Sequence, residues 1–330
     1  MKRIISLILI IMIIIFNSTY VLADDENEIL EKPIIEEEEK KEIEAAANSE
    51  TKPTINSRRY AIYDRLSGRC IYGKDENKQT AMASTTKIMT AMIIIENCKL
   101  TDSVTVSAKA AGTGGSRLGL KKDDIITVND LLYGLMLRSG NDAAVALAIH
   151  TAGSIEKFAD LMNAKAIKLG LKNTHFVTPH GLDNEEHYTT AYELAKLTDY
   201  ALKNETFAKI VKTQSTTITI NNSPKQINNT NELLGNVNGV YGVKTGFTNN
   251  AGRCLVTSVK RDDMDLIIVV LGADTRKDRA KDSMKLIEYA YKRYQVVNLK
   301  EIIEKEFNLW KQINENRIYI DKGEGNIELE

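Results

Sequence analysis

Arg253-Cys254-Leu255-Val256-Thr257-Ser258-Val259-Lys260 and Asp265-Leu266-Ile267-Ile268-Val269-Val270-Leu271-Gly272-Ala273, separated by the polar Arg261-Asp262-Asp263, read as two strands joined by a turn. A second pair lies far upstream. There Tyr60-Ala61-Ile62-Tyr63-Asp64 and Cys70-Ile71-Tyr72 flank the glycine-containing turn Leu66-Ser67-Gly68-Arg69. Between the two hairpins the pattern is mostly helical, with candidate helices at 84–96, 129–137, 142–151, 154–169 and 190–202. Thr190-x-x-Glu193 is a capping box, and Gly170 stands where a helix would stop. A last amphipathic helix is expected over 277–294, where Met284, Ile287, Tyr291 and Tyr294 share a face. Strands at both ends of a helical stretch imply one sheet assembled from distant segments. The expected class is α+β, an antiparallel sheet flanked by helices with a helical insert, not a series of βαβ units.

Working outward, the 330 residues carry 44 Lys+Arg and 45 Asp+Glu, a formal charge of −1, with 43% hydrophobic residues and 4 prolines. This excludes an overall basic nucleic-acid binder, an acidic solvating protein and a chain disordered throughout. The charge is unevenly spread. Lys2 and Arg3 precede an apolar run at 4–16 broken only by Ser6, and Val21-Leu22-Ala23 offers small residues for cleavage. Residues 1–23 therefore read as a secretory signal peptide cut after Ala23, with an uncleaved N-terminal anchor as the alternative. Either exports the chain, to the cell wall or the outer face of the cytoplasmic membrane.

Residues 24–50 hold twelve acids and three bases, net −9, so 24–57 is expected to be a disordered or fraying-helical stalk. What remains, residues 51–330, has 39 bases and 33 acids, a body of +6. Cys70, Cys98 and Cys254 are in no Cys-x-x-Cys or metal-ligand spacing; one disulfide plus a free thiol, or three small buried residues, are both compatible with them. The four histidines form no His-Glu-x-x-His cluster, so neither a metal nor another cofactor is expected.

Three short motifs carry chemistry. Ser84-Thr85-Thr86-Lys87 opens a helix, so the hydroxyl and the amine share a face. A serine hydroxyl needs a base to become a nucleophile, and a lysine serves if the apolar run at 88–95 buries it and lowers its pKa. Backbone N–H groups at the helix start would also favour an oxyanion near Ser84. Ser139-Gly140-Asn141 falls between two helices, where a second hydroxyl could pass a proton and an amide could grip a carbonyl. Lys244-Thr245-Gly246, followed by Phe247, lies in a strand-like stretch, where charge and hydroxyl could receive a carboxylate and Gly246 leaves room for a peptide alongside. Taken singly, these are an N-cap serine with a solvated lysine, a helix-linking turn, and a lysine placed on an edge strand against aggregation.

In this order the three motifs resemble those of penicillin-binding proteins and class A β-lactamases, with Gly140 where that signature has Asp. Residues 58–297 resemble the low-molecular-mass penicillin-binding proteins that are serine-type D-alanyl-D-alanine carboxypeptidases. The blocks Ala83 to Thr90, Arg138 to Ala143, Pro179-His180-Gly181-Leu182-Asp183 and Val243 to Thr248 carry that likeness. It implies a catalytic domain of β-lactamase/transpeptidase type over 58–297. Its catalytic residues would be Ser84, Lys87 and Ser139, and its substrate would lie against Asn141, Lys244, Thr245, Gly246 and Phe247. The implied substrate is the peptidoglycan stem pentapeptide, which would lose its terminal D-alanine through an acyl-enzyme; β-lactams would be inhibitors and no cofactor would be needed. Arg279 is left between electrostatic support near Lys244 and a surface place on the last helix.

Fuller members carry a β-rich second domain and a C-terminal amphipathic helix, whereas 298–330 holds only a short extension, a possible vestige of that domain. Its segment 301–313 could make peripheral membrane contact. Two alternatives stay open. A serine β-lactamase would need a Glu-x-x-x-Asn loop between the second and third motifs, where only Glu232 and Asn236 match, eight residues before Lys244. A β-lactam-sensing or wall-binding module would acylate without turnover.

Overall fold

A computed structural model of the chain describes residues 34–47, 52–297, 299–314, 318–320 and 327–329. The expected signal peptide lies outside them. The described residues divide into two units at Arg293 and Tyr294.

In the first unit, strands β1 (Arg59–Asp64), β2 (Arg69–Lys74), β7 (Val240–Thr248), β8 (Gly252–Arg261) and β9 (Met264–Ala273) form one antiparallel sheet in the order β2-β1-β9-β8-β7. The chain's first hairpin thus pairs with its last, Ile62 opposite Ile268. The continuous apolar run of β9 has a physical reason. Ile267, Val269 and Leu271 enter the main core with the insert's helices, whereas Leu266, Ile268 and Val270 on the other face are equally buried. A strand covered on both faces loses the apolar-polar alternation of a half-solvated one. Helix α9 (Arg276–Arg293) packs against β8 and β9 and buries Ala280, Met284, Ile287 and Ala290.

The insert holds α2 (Lys87–Asn97), α4 (Val128–Leu137), α5 (Asn141–Ala152), α6 (Ile155–Lys168) and α7 (Ala191–Leu202), with the short α3 (Ala108–Ala111) and α8 (Glu205–Lys212). Side-chain caps set several starts, as Thr127, Ser154, Thr190 and Asn204 accept the third following backbone N–H. The Thr190 box closes only in part, because the Glu193 carboxylate accepts from Asn173 N and Thr174 Oγ1 instead. A second sheet, β3 (Ser103–Thr105), β4 (Ile125–Thr127), β5 (Ser215–Ile220) and β6 (Ser223–Asn228), has no counterpart in the sequence reading. Two of its strands are three residues long, too short to show a period.

Part of the acidic stretch departs from the stalk expectation. Residues 37–47 form helix α1 (Glu37–Ala47), which packs on α9. Ile35 and Ile43 are buried, and Glu39 reaches Lys277 at 2.8 Å and Lys281 at 2.7 Å. Hydrogen bonds from Lys277 and then Lys281 hold the Glu39 carboxyl down at about 2. Net charge argues for disorder only when no oppositely charged face is at hand, and α9 supplies one. All three cysteines are free thiols. The second unit comprises α10 (Leu299–Asn314) and an antiparallel pair, β10 (Ile318–Ile320) with β11 (Ile327–Leu329). No helix among the described residues is long and apolar enough to cross a membrane.

Candidate active site

The Ser84-x-x-Lys87 motif starts one turn before the helix proper. Ala83–Thr86 is a 3-10 turn leading into α2, with Ala83 in the left-handed region at φ 48°. Hydroxyl groups lock this turn in place. Thr85 Oγ1 donates to Met82 O (2.6 Å) and Thr86 Oγ1 to Ala83 O (2.8 Å). His187 Nδ1 accepts from Val177 N (2.9 Å), so its proton sits on Nε2 and points at Thr86 Oγ1, 2.7 Å away. Burial, with His175 and Lys87 nearby, lowers His187 to about 4, which keeps it a neutral imidazole at neutral pH.

Lys87 lies beneath Ser84 with no exposed surface. Its Nζ is 2.8 Å from Ser84 Oγ, 2.7 Å from Asn141 Oδ1 and 2.9 Å from His180 O. Burial pushes the ammonium well below the usual lysine range; the like charge of Lys244 pushes the same way, and Asp142 opposes it. Two of the three partners are carbonyl oxygens, which only accept. A neutral amine would give them its two N–H bonds and turn its lone pair to the Ser84 hydroxyl.

Asn141 begins α5, and both ends of its amide are engaged, Oδ1 by Lys87 and Nδ2 by Gly114 O at 2.8 Å. The next residue, which the motifs do not single out as a site residue, explains why α5 starts there: the Asp142 carboxylate is buried and accepts from the backbone N–H groups of Leu118, Gly119, Leu120 and Ala143 at 2.8 to 2.9 Å. It ties the 114–120 loop to the helix that bears Asn141. Ser139, buried with φ 58°, lies on the preceding turn but is not among the partners of Lys87.

Strand β7 is the sheet's outer strand, and it presses against the Ser84 turn. A Cβ at Gly246 would come within 2.8 Å of Ser84 N and 3.1 Å of Ala83 Cβ. The glycine is therefore needed for this strand-to-turn approach itself. A Cβ at Gly181, whose φ is 86°, would likewise run into Ala83 O at 2.0 Å. Lys244 and Thr245 are buried; Lys244 Nζ donates to Thr245 O at 2.9 Å, and Thr245 Oγ1 shares a 2.7 Å bond with Thr230 Oγ1. The Phe247 ring is backed by the Arg253 guanidinium at 3.9 Å from its centroid. Ser84, Asn141, Phe247, Leu182, Asp183 and Thr248 are among the residues lining an open cleft of about 180 Å³.

Arg279 is not at the surface. It is fully buried and grips Glu232, Nε and Nη2 each 2.9 Å from a carboxylate oxygen. His180 has a role that its motif block does not reveal. Its backbone oxygen holds Lys87, and burial first, then the charge of Lys87, lowers its ring to about 3.

The sequence matches the family profile of D-alanyl-D-alanine carboxypeptidases over residues 46–275, most of the chain. The chain belongs to the D-alanyl-D-alanine carboxypeptidase family. These are serine peptidases. The D-alanyl-D-alanine carboxypeptidase DacF of Bacillus subtilis is 40% identical over 240 residues, covering 71% of this chain and 62% of its own length. DacA of Haemophilus influenzae is 33% identical over 280 residues, covering 82% of this chain and 68% of its own. The crystal structure of the Streptomyces K15 DD-transpeptidase superposes with a TM-score of 0.70 at 35% identity, over 73% of this chain and 99% of that one. The fold is that of these DD-peptidases, an antiparallel sheet flanked by helices.

Proposed function

We propose that this chain is an exported serine-type carboxypeptidase that removes the terminal D-alanine from peptidoglycan stem pentapeptides through an acyl-enzyme on Ser84. One observation carries the reading: a completely buried lysine whose Nζ is 2.8 Å from a serine hydroxyl and whose other two partners can only accept. Neutral Lys87 takes the Ser84 proton as Oγ attacks the carbonyl between the two D-alanines. The Ser84 and Phe247 N–H groups, brought together by the contact at Gly246, receive the oxyanion. Ser139 relays the proton to the departing amine, Asn141 keeps one N–H for the substrate, and Lys244 with Thr245 holds the terminal carboxylate. Water then releases the acyl group. β-Lactams enter by the same attack and stall as acyl-enzymes.

The β-lactamase alternative asks for a glutamate that can activate water. Glu232, the one glutamate between the second and third motifs with the matching spacing, has both oxygens taken by Arg279, which speaks against that duty. The likeness to the Streptomyces K15 DD-transpeptidase makes an amine a second candidate acceptor for the acyl group. The test is D-alanine release from a pentapeptide ending in D-Ala-D-Ala, with and without an added amine, for wild type and Ser84→Ala. Release by wild type alone is expected. Labelling by fluorescent penicillin without any D-alanine release would sink the carboxypeptidase reading, and rapid loss of that label would favour the lactamase.

A further inference from the structure

The cleft is lined almost wholly by neutral residues. Among the described residues lining it, Asp183 alone is charged. Asp183 is exposed, and one carboxylate oxygen accepts from Asn250 N at 3.2 Å, joining the loop after Gly181 to the turn that follows β7.

Its position follows from β7. Gly246 abuts the Ser84 turn, so the reacting carbonyl belongs near that point of the strand. Lys244 lies two residues to one side and Thr248 two to the other, about 7 Å each way at roughly 3.3 Å per residue. A peptide laid along β7 with its terminal carboxylate toward Lys244 must send its acyl portion past Phe247 and Thr248. Just beyond Thr248 is Asn250, where Asp183 is anchored. The charges on the two sides of Gly246 thus differ in sign, buried Lys244 toward the leaving group and exposed Asp183 toward the acyl group.

We infer that Asp183 is a specificity-determining residue that selects peptides bearing a side-chain amine on the residue preceding the D-alanine whose carbonyl is attacked. This deepens the proposed function and rests on it. A basic side chain of lysine length spans the gap from a backbone on β7 to a carboxylate at the cleft mouth. Because Asp183 is exposed, the attraction is screened and worth a modest factor, about threefold.

The experiment compares two peptides ending in Lys-D-Ala-D-Ala that differ only in a free or acetylated lysine ε-amine. Two readouts are taken, kcat/KM for D-alanine release and the concentration that protects Ser84 from fluorescent penicillin. Wild type should favour the free amine about threefold in low salt and lose that preference in high salt. Asp183→Asn, which keeps an oxygen to accept from Asn250, should show no preference, and Asp183→Glu should restore part of it. Taking the ratio of two peptides within each variant cancels any loss common to both. A ratio near one in wild type, or the same ratio in wild type and Asp183→Asn, overturns the assignment. If no D-alanine is released yet the amine peptide protects Ser84 better in wild type alone, the specificity assignment stands and the carboxypeptidase reading falls.

Discussion

The turn at 83–87 and helix α1 are both places where charge sits against expectation, and they are held in opposite ways. Lys87 is an ionisable amine with no exposed surface, fixed by three partners on three separate segments. Helix α1 is an acidic segment on the surface, held by Ile35, Ile43 and the lysines that meet Glu39. Burial lowers the proton affinity of the first, at the cost of rigid surroundings. Solvent leaves the second a weak attachment, since exposed ion pairs contribute little each. Burial among neutral partners thus lowers an amine's proton affinity, whereas charged partners in solvent only dock a helix.

The comparison can be broken most sharply at Lys87. Lys87→Ala and Lys87→Arg should both slow acylation by fluorescent penicillin about 10³-fold, because an arginine supplies charge without a usable lone pair. Near-normal rates in Lys87→Arg would show that charge alone suffices. Next comes the scaffold around it. Asp142→Asn sets an amide's own N–H groups against backbone donors, and denaturant unfolding should reveal a loss of roughly 3 kcal/mol.

A pH profile refines the same contrast. Acylation needs neutral Lys87, so its rate should rise with pH through a midpoint well below the ~10.4 of a free lysine. In Lys244→Met the like charge is gone, and the rising limb should move to higher pH, whatever happens to the rate itself. A limb that stays put would mean that Lys244 does not tune Lys87.

The smallest effects belong to α1. Ile43→Asp should raise hydrogen exchange across 37–47 while changing the acylation rate less than about twofold. A large loss of acylation would make α1 part of the site's support. The hold of Glu39 on Lys277 and Lys281 is present above its ordinary carboxylate range and fades as pH falls toward about 2, so exchange protection of α1 should fade over that interval.

Much of this is legible in residue order, and the failures have identifiable causes. The hairpins at both ends of the body predict the sheet because their runs are long and strand-like. The helices fall within a few residues of their expected places because caps such as Thr190 and Ser154 are local. The strands at 103–105 and 125–127 escape because each is three residues long, and the local hairpin of 215–220 with 223–228 escapes because its mostly exposed, polar residues form no apolar run. Asp142 lies inside a motif that gives no hint of its duty, since its four donors come mostly from a loop more than twenty residues away. Gly246 suggests room for a peptide, whereas its Cα is pressed against the Ser84 turn.

From residue identity and spacing alone came the class of fold, the candidate nucleophile and base, and the sign of the charge expected at the carboxylate end. Those depend on chemistry that a side chain carries wherever it is placed. Whether Lys87 is solvated or buried, whether Arg279 faces water or Glu232, and whether acidic residues 37–47 dangle or dock were decided only by tertiary structure. Each of these turns on desolvation and on partners far away in the chain, and neither is a property of a residue and its neighbours in sequence.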